Sequence, residues 1–144
     1  MLSSRLPRAK AAGVLDGKTA MTVALKNTIP VLRMFDVAKA KEFYIGYLGF
    51  TIDFEHRFHD GAPLFMGISR GEISLFLSEH HGDGTPGTHV VVRVDGLDEL
   101  HRELHSKNYR YMNPGIQEQE WGSREMAVVD PCTNRIIFSE PFAP

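Results

Sequence analysis

Residues 29–50, "IPVLRMFDVAKAKEFYIGYLGF", contain the pattern that decides the fold, and residues 89–108, "HVVVRVDGLDELHRELHSKN", repeat it. In each stretch a short apolar run ends near an aspartate and leads into apolar residues at helical spacing. Asp36 and Asp95 are placed to cap the two helices. Asp98, three residues after Asp95, completes a pair of the capping-box type at the start of the second helix. Each stretch therefore predicts a strand followed directly by a helix.

Three extended segments follow each predicted helix. Arg33 and Arg93 lie 60 positions apart, and Glu79 and Glu140 lie 61 apart, so the whole unit repeats with a period near 60. The segments are "FTIDFEHRF", "APLFMGIS" and "EISLFLSE" in the first half, and "GIQEQEW", "REMAVVD" and "RIIFSE" in the second. The sequence predicts an α+β fold of two tandem βαβββ modules, the first over about 28–80 and the second over about 87–140.

Length and composition predict one soluble domain. The chain has 144 residues, of which 42% are hydrophobic and 24% charged, and these shares are typical of globular proteins. No apolar run approaches the roughly 18 to 20 residues that a membrane span needs. The single cysteine, Cys132, excludes an internal disulfide and favours a cytoplasmic protein.

Charge is distributed unevenly along the chain. Residues 1–26 carry five basic groups and one acidic group, a net charge of +4, whereas residues 27–144 carry 11 basic and 17 acidic groups, a net charge of −6. An acidic domain lacks the basic face of a nucleic-acid binder and would attract a cationic ligand. The basic first stretch predicts a disordered leader over 1–26, with a transit peptide or an upstream start before Met21 as alternatives. A single domain is predicted over 27–144.

Several segments resemble the glyoxalase/bleomycin resistance/dioxygenase superfamily, also called vicinal oxygen chelate proteins. They are "IPVLRMFDVAKAKEFYIGYLGF", "VDGLDELHRELHSKNY" and "EWGSREMAVVDPCTNRIIF", and the likeness runs from about residue 28 to 140, closest to the bleomycin resistance protein branch. The resemblance implies curved mixed sheets that enclose a cavity. It also implies a homodimer with the ligand groove between the two chains.

Enzymes of this superfamily hold a divalent metal ion on four residues. By the repeat, these positions fall on Ile29 (or Pro30), Phe76, His89 and Ile137. Apolar side chains cannot bind a metal ion, and one imidazole is not a sufficient ligand set. The sequence therefore predicts no metal and no other cofactor, with His89 as a ligand only if a rearranged site exists. Otherwise His89 is a histidine at a strand end that is hydrogen-bonded or faces the groove.

The same resemblance suggests which residues bind a ligand. Asp53, Phe54 and Trp121 match acidic and aromatic positions that bind the drug in the bleomycin resistance proteins, and Phe58 aligns less closely. Planar heteroaromatic rings stack on Phe and Trp faces, and cationic groups favour an acidic wall. Ordinary core packing is the alternative for the three aromatic residues.

Two arginines at equivalent positions suggest a different ligand. By strand parity Arg33 and Arg93 lie on the same face as Ile29 and His89, where a pair of guanidinium groups could hold a carboxylate or phosphate. Each arginine could equally reach solvent from a strand end.

Three functions follow from these features. The first is non-catalytic sequestration of a bleomycin-type antibiotic, or a similar cationic aromatic molecule, in a groove at a dimer interface. The second is a metal-dependent enzyme of isomerase, lyase or dioxygenase type that uses His89 and the "SEHHGD" loop. The third is a module that binds an anionic metabolite through the two arginines.

Overall fold

The computed structural model describes residues 14–15, 18–19 and 21–142. The first four form a small antiparallel pair, β1 (Val14–Leu15) with β2 (Lys18–Thr19). Most of the predicted leader over 1–26 lies outside the described residues, so the leader and the domain boundary at residue 27 stay predictions.

The first module follows the predicted order of elements. Strand β3 (Val31–Arg33) leads into α1 (Val37–Lys41), which continues as a π-helical turn over Glu42–Tyr47. The Asp36 side chain accepts a hydrogen bond from the Lys39 amide, as an N-cap does. Gly49 ends the helical segment with a φ of +77°, a conformation that favours glycine.

The remaining strands complete a mixed sheet. They are β4 (Thr51–His56), β5 (Phe65–Arg70) and β6 (Ile73–Ser78), and the strand order is β3-β6-β5-β4. Strands β3 and β6 are parallel, and the other pairs are antiparallel.

The second module repeats this arrangement. Its elements are β7 (His89–Arg93), α2 (Leu97–Ser106), β8 (Ile116–Gln119), β9 (Ser123–Val129) and β10 (Arg135–Pro141), with sheet order β7-β10-β9-β8. The first and last strands are again parallel, with Val91 opposite Ile137 as Val31 is opposite Phe76. The prediction of two tandem βαβββ modules with mixed sheets is confirmed.

The predicted cap of the second helix is wrong. The N-cap of α2 is Gly96, and Asp95 makes no capping hydrogen bond. Instead Glu140 reaches from the last strand, and its Oε2 accepts from the amides of Gly96 and Leu97 at 2.7 and 3.3 Å. Asp98 does not complete a capping box, because its carboxylate binds the Arg124 guanidinium. A residue close in space but 44 positions away supplies the cap.

One continuous core joins the two modules. Buried residues of both sheets and both helices form a single cluster that includes Leu32, Tyr44, Leu97 and Phe138. The Tyr44 hydroxyl donates a 2.6 Å hydrogen bond to Asp130 of the second module. The core and both helices therefore lie on one face of each sheet, which we call the inner face. The opposite face of each sheet, the outer face, is not covered by any helix of the described residues.

Among the described residues, no helix is both long enough and apolar enough to cross a membrane.

Candidate ligand-binding site

The outer face of the first sheet carries a row of residues across all four strands. Val31, Phe76, Gly67 and Phe54 are neighbours in the sheet register. Side chains alternate between the two faces of a strand, so the residues next to them, such as Leu77 and Met66, point into the core and are fully buried. The outer row is therefore not needed for the core and is available to a ligand.

The ring of Phe54 lies flat against the backbone of Gly67. A Cβ atom placed on Gly67 would stand 2.2 Å from the Phe54 ring, a separation that no packed side chain tolerates. The register shifts between Ile52 and Phe54, so a bulge at this point of β4 turns Phe54 onto the outer face. Phe54 is 40% exposed, so one side of its ring rests on the sheet and the other side faces solvent.

Other rings extend this surface. The Phe54 centroid lies 6.1 Å from that of Phe65 in a stacked arrangement and 5.6 Å from that of Phe76 in an edge arrangement. Further ring contacts link these three residues to three more. We call this group of six rings the aromatic face, and its members are Phe54, Phe58, Phe65, Phe76, His56 and His80. Phe58 is 77% exposed, so ordinary core packing does not account for its position.

Asp53 provides an acidic group beside the aromatic face. Its Oδ1 accepts a 2.9 Å hydrogen bond from the Ser69 hydroxyl, which fixes the carboxylate on the sheet while leaving it exposed. Arg57, the nearest basic residue along the chain, is occupied by the Ala62 carbonyl and lies 3.6 Å from Glu79. The predicted residues Asp53, Phe54 and Phe58 thus lie close together on one module.

The outer face of the second sheet is less aromatic. Its central row contains Val91, Ile137 and Ala127, and Val91 is 58% exposed. Trp121 projects from the turn between β8 and β9 and is 72% exposed. Its Nε1 donates a 3.4 Å hydrogen bond to Glu125, so this aromatic residue also has a carboxylate beside it.

The two modules do not bring their predicted residues together within one chain. Among the described residues, no ring contact or hydrogen bond joins Trp121 to Asp53, Phe54 or Phe58. The two outer faces belong to different sheets of the same molecule.

The two predicted arginines occupy different surroundings. Arg33 is buried, donates a 2.9 Å hydrogen bond to the Glu79 carbonyl and lies against the Phe35 ring. Arg93 is exposed and lines a cavity between the modules that Arg33 does not reach. Because the Arg33 guanidinium already has a backbone partner, the geometry offers little support for a paired anion clamp.

The metal site of the superfamily's enzymes does not fit the residues present here. His89 is exposed at the start of β7, and its register neighbour on β10 is the exposed Arg135, a cation that would repel a metal ion. The equivalent positions in the repeat hold Ile29, Phe76 and Ile137. Nowhere in the described parts of the chain do three or more His, Cys, Asp or Glu side chains gather closely enough to share a metal ion.

The donors of the "SEHHGD" loop are engaged separately. Glu79 Oε1 accepts from the Leu64 amide, and Asp83 Oδ2 accepts from the Ser78 hydroxyl. On α2, the rings of His101 and His105 lie 4.1 Å apart, and His105 Nε2 lies 3.0 Å from the Pro114 carbonyl.

Sequence reasoning missed four residues of the aromatic face and one acidic group. Phe76 was noted only as an unsuitable metal ligand and His80 only as part of the "SEHHGD" loop of the enzymatic alternative, and Phe65 and His56 were not considered as site residues. The alternation of side chains along a strand could have revealed these residues. Phe65 and Gly67, two positions apart on β5, share the outer face, and so do Phe54 and His56 on β4. Glu125 could be linked to Trp121 only once the β8–β9 turn was known.

Comparison with known proteins identifies the family. A family model described as "Glyoxalase superfamily protein" matches residues 14–143, and the chain belongs to this superfamily. The resemblance stated from the sequence is confirmed.

Two relatives and one further solved structure can be compared with this chain. The bleomycin resistance protein of Geobacillus stearothermophilus is 29% identical over 130 residues, which cover 78% of this chain and 94% of that protein. The bleomycin-binding protein of Streptomyces verticillus, in complex with copper(II)-bleomycin, is 29% identical with a TM-score of 0.63, over 85% of this chain and 100% of that chain. A glyoxalase-related enzyme from Clostridium phytofermentans, at 20% identity and a TM-score of 0.64 over 83% of this chain and 98% of that chain, shares the fold alone.

Proposed function

We propose that this protein binds and sequesters a bleomycin-type antibiotic, or a similar cationic aromatic molecule, without chemical turnover and thereby confers resistance in the cytoplasm. The observation that carries the proposal is the aromatic face with Asp53 at its side. The bleomycin resistance and bleomycin-binding relatives support the choice of ligand.

The chemistry of the two outer faces suits such a ligand. Phe54 offers one free side of its ring, and Trp121 is exposed, so a planar ring system can stack on either for about 0.5 to 1.5 kcal/mol beyond the burial of apolar area. Each of these rings has a carboxylate nearby, Asp53 for Phe54 and Glu125 for Trp121. A cationic tail would find an acidic partner beside either ring.

A homodimer would complete the groove. A single chain leaves the aromatic face and Trp121 on separate sheets, so one ligand could contact both sets only if the first module of one chain approached the second module of another. Residues 21–28 support pairing, because they form no helix or strand within the chain, and Met21, Val23 and Leu25, at alternate positions, are 84% to 95% exposed. Apolar side chains at alternate positions are typical of a strand that packs against a partner.

Fluorescence titration with metal-free bleomycin tests the proposal. Trp121 is the single tryptophan of the chain, so its emission reports this site alone. We expect saturable quenching at about one drug molecule per chain, with a dissociation constant of about 1 μM or lower, equivalent to roughly −8 kcal/mol. Free N-acetyltryptophanamide in the same titration corrects for absorption by the drug.

The control variant is Tyr111→Phe, which changes another exposed aromatic residue away from the predicted site. Its titration should match that of the unchanged protein, whereas Asp53→Asn should bind about two- to fivefold more weakly, the loss expected for one exposed charge contact. An absence of quenching up to millimolar drug would contradict the proposal.

Metal analysis separates this function from the enzymatic alternative. A binding protein should contain less than one transition-metal ion per ten chains after purification from metal-supplemented culture. A stoichiometric metal ion that is lost in His89→Ala would favour a rearranged catalytic site instead.

A further inference from the structure

A cavity lies between the two modules, beside the first turns of α2. Its volume is about 650 Å³, within the range of about 300 to 1,000 Å³ that holds small organic ligands. The half-buried Ile73 of the first module and Val94 of the second supply most of its accessible apolar surface, and the core residues Leu48, Phe50, Leu100 and Phe138, each at most 9% exposed, also line it. We call it the intermodule cavity, and it contains none of the residues of the aromatic face.

The charged residues around the intermodule cavity are mainly acidic. Four carboxylates and two guanidinium groups line it, which gives a net charge of −2, and they belong to Glu72, Asp95, Glu99, Glu103, Arg70 and Arg93. An apolar surface with an acidic border favours a ligand that has an apolar body and a positive charge.

One ion pair forms a fixed wall of this cavity. Arg70 donates two hydrogen bonds of 2.8 Å to the two carboxylate oxygens of Glu103 and one of 2.6 Å to the Leu48 carbonyl. The bidentate contact lowers the pKa of Glu103 below its ordinary value. The Arg70–Glu103 pair satisfies its own charges, and Glu99 pairs with Arg102 at 3.2 Å, so Asp95 and Glu72 remain to attract a ligand.

Asp95 is the carboxylate most available to a ligand. Glu140 accepts the hydrogen bonds from the first amides of α2, so the Asp95 carboxylate does not bind the helix end that its position in the sequence suggests. Within the described residues neither Asp95 nor Glu72 makes a side-chain hydrogen bond or an ion pair, and the two approach the cavity from different modules. Their charges would be stabilised by a cation placed between the modules.

We propose that the intermodule cavity is a second binding site, selective for small organic cations with an apolar body. The apolar part lies against Ile73 and Val94, and the ammonium group contacts Asp95 with Glu72 nearby. This site is separate from the antibiotic site and does not depend on the function proposed for it.

NMR titration of the ¹⁵N-labelled protein tests this site with two matched probes. 2-Phenylethylammonium and 3-phenylpropionate have similar apolar bodies and opposite charges. We expect the cation to shift the amide signals of Ile73, Val94 and Leu100 saturably, with a dissociation constant of about 1 mM, as is typical of so small a ligand. The anion should bind at least about fivefold more weakly.

A pair of aspartate variants locates the charge that matters. Asp95→Asn should weaken cation binding about threefold, whereas Asp60→Asn, in the loop after β4, should leave it unchanged. Quenching of Trp121 by bleomycin should be the same in Asp95→Asn as in the unchanged protein, which keeps the two sites experimentally distinct. Equal binding of cation and anion, shifts confined to the aromatic face, or no saturable shift up to about 10 mM would each overturn the proposal.

Discussion

The two modules share a strand register and differ in what their outer faces present. At equivalent positions of the central rows the first module has Phe76 where the second has Ile137, and Gly67 where the second has Ala127. The missing side chain at Gly67 admits the ring of Phe54. The two modules share the same core pattern, whereas the outer face of the first is aromatic and that of the second is aliphatic.

This difference indicates that core packing limits the residues of the inner faces but not those of the outer faces. Inner-face residues such as Leu77 and Phe138 are buried in a common core, so their replacement is limited by packing in both modules. Outer-face residues have no such limit within one chain, and the two rows can diverge. The first module therefore carries most of the exposed aromatic surface of the two sheets, and the second carries Trp121.

The hairpin turns that precede the last strands also differ, and here the second module has the more elaborate structure. In the first module the turn at Gly71 and Glu72 is short and exposed. In the second module Asp130 is 5% exposed and accepts hydrogen bonds from the Tyr44 hydroxyl, the Cys132 and Asn134 amides and the Asn134 side chain. The turn of the second module thus joins the two modules through buried hydrogen bonds, whereas the Glu72 side chain in the turn of the first makes no such contact with a described residue.

The largest expected effect comes from Asp130→Ala. It removes the acceptor for four hydrogen bonds in a buried site, and the free energy of unfolding should fall by about 3 to 5 kcal/mol. Glu72→Ala, in the exposed turn of the first module, should change it by less than about 0.5 kcal/mol. Urea denaturation of both variants measures the difference. Equal effects would mean that the two turns do not differ in the way described.

A smaller effect concerns the pH dependence of stability. Burial, followed by the nearby Asp130 carboxylate, raises the pKa of Tyr44 well above its ordinary value near 10. The folded state therefore holds the hydroxyl proton more tightly than the unfolded state does. This contribution is complete below about pH 10 and is lost as the pH rises through the pKa of the folded state.

Tyr44→Phe isolates that contribution. At neutral pH the variant should lose about 1.5 to 3 kcal/mol of stability, the value of one hydrogen bond to a carboxylate. Between about pH 9 and 11 its stability should fall less steeply than that of the unchanged protein. The comparison uses urea midpoints at each pH, and parallel curves would contradict the assignment to Tyr44.

The sequence predicted the order of elements because core-facing residues repeat at strand and helix periods in both halves. It placed Asp36 correctly because the Lys39 amide that donates to its carboxylate lies only three residues along the chain. It failed at Asp95 because the cap of α2 comes from Glu140, a contact that depends on how β10 packs beside the helix. The aromatic face was incompletely predicted for a similar reason, since the bulge in β4 and the register of β5 determine which rings meet.

Gly67→Ala tests whether the aromatic face depends on its glycine. The new methyl group would displace the Phe54 ring, and bleomycin binding should weaken about tenfold, the value of one stacked ring with its buried area. Gly115→Ala in the second module is the matched control, because a Cβ atom there meets no atom within 4 Å. Affinity is measured by quenching of Trp121 emission. A tenfold loss in the control, or none in Gly67→Ala, would contradict the role assigned to this glycine.

The smallest expected effect is that of Phe54→Leu, which keeps an apolar side chain on Gly67 and removes only the ring. Binding should weaken about threefold, because stacking is lost while much of the apolar contact remains. The double variant Gly67→Ala, Phe54→Leu decides whether the two residues act together. If Gly67 serves to position the Phe54 ring, the double variant should bind about as weakly as Gly67→Ala alone, since the ring is already displaced there. A roughly thirtyfold loss would mean that the effects are additive, and that Gly67 contributes to binding by a route that does not pass through Phe54.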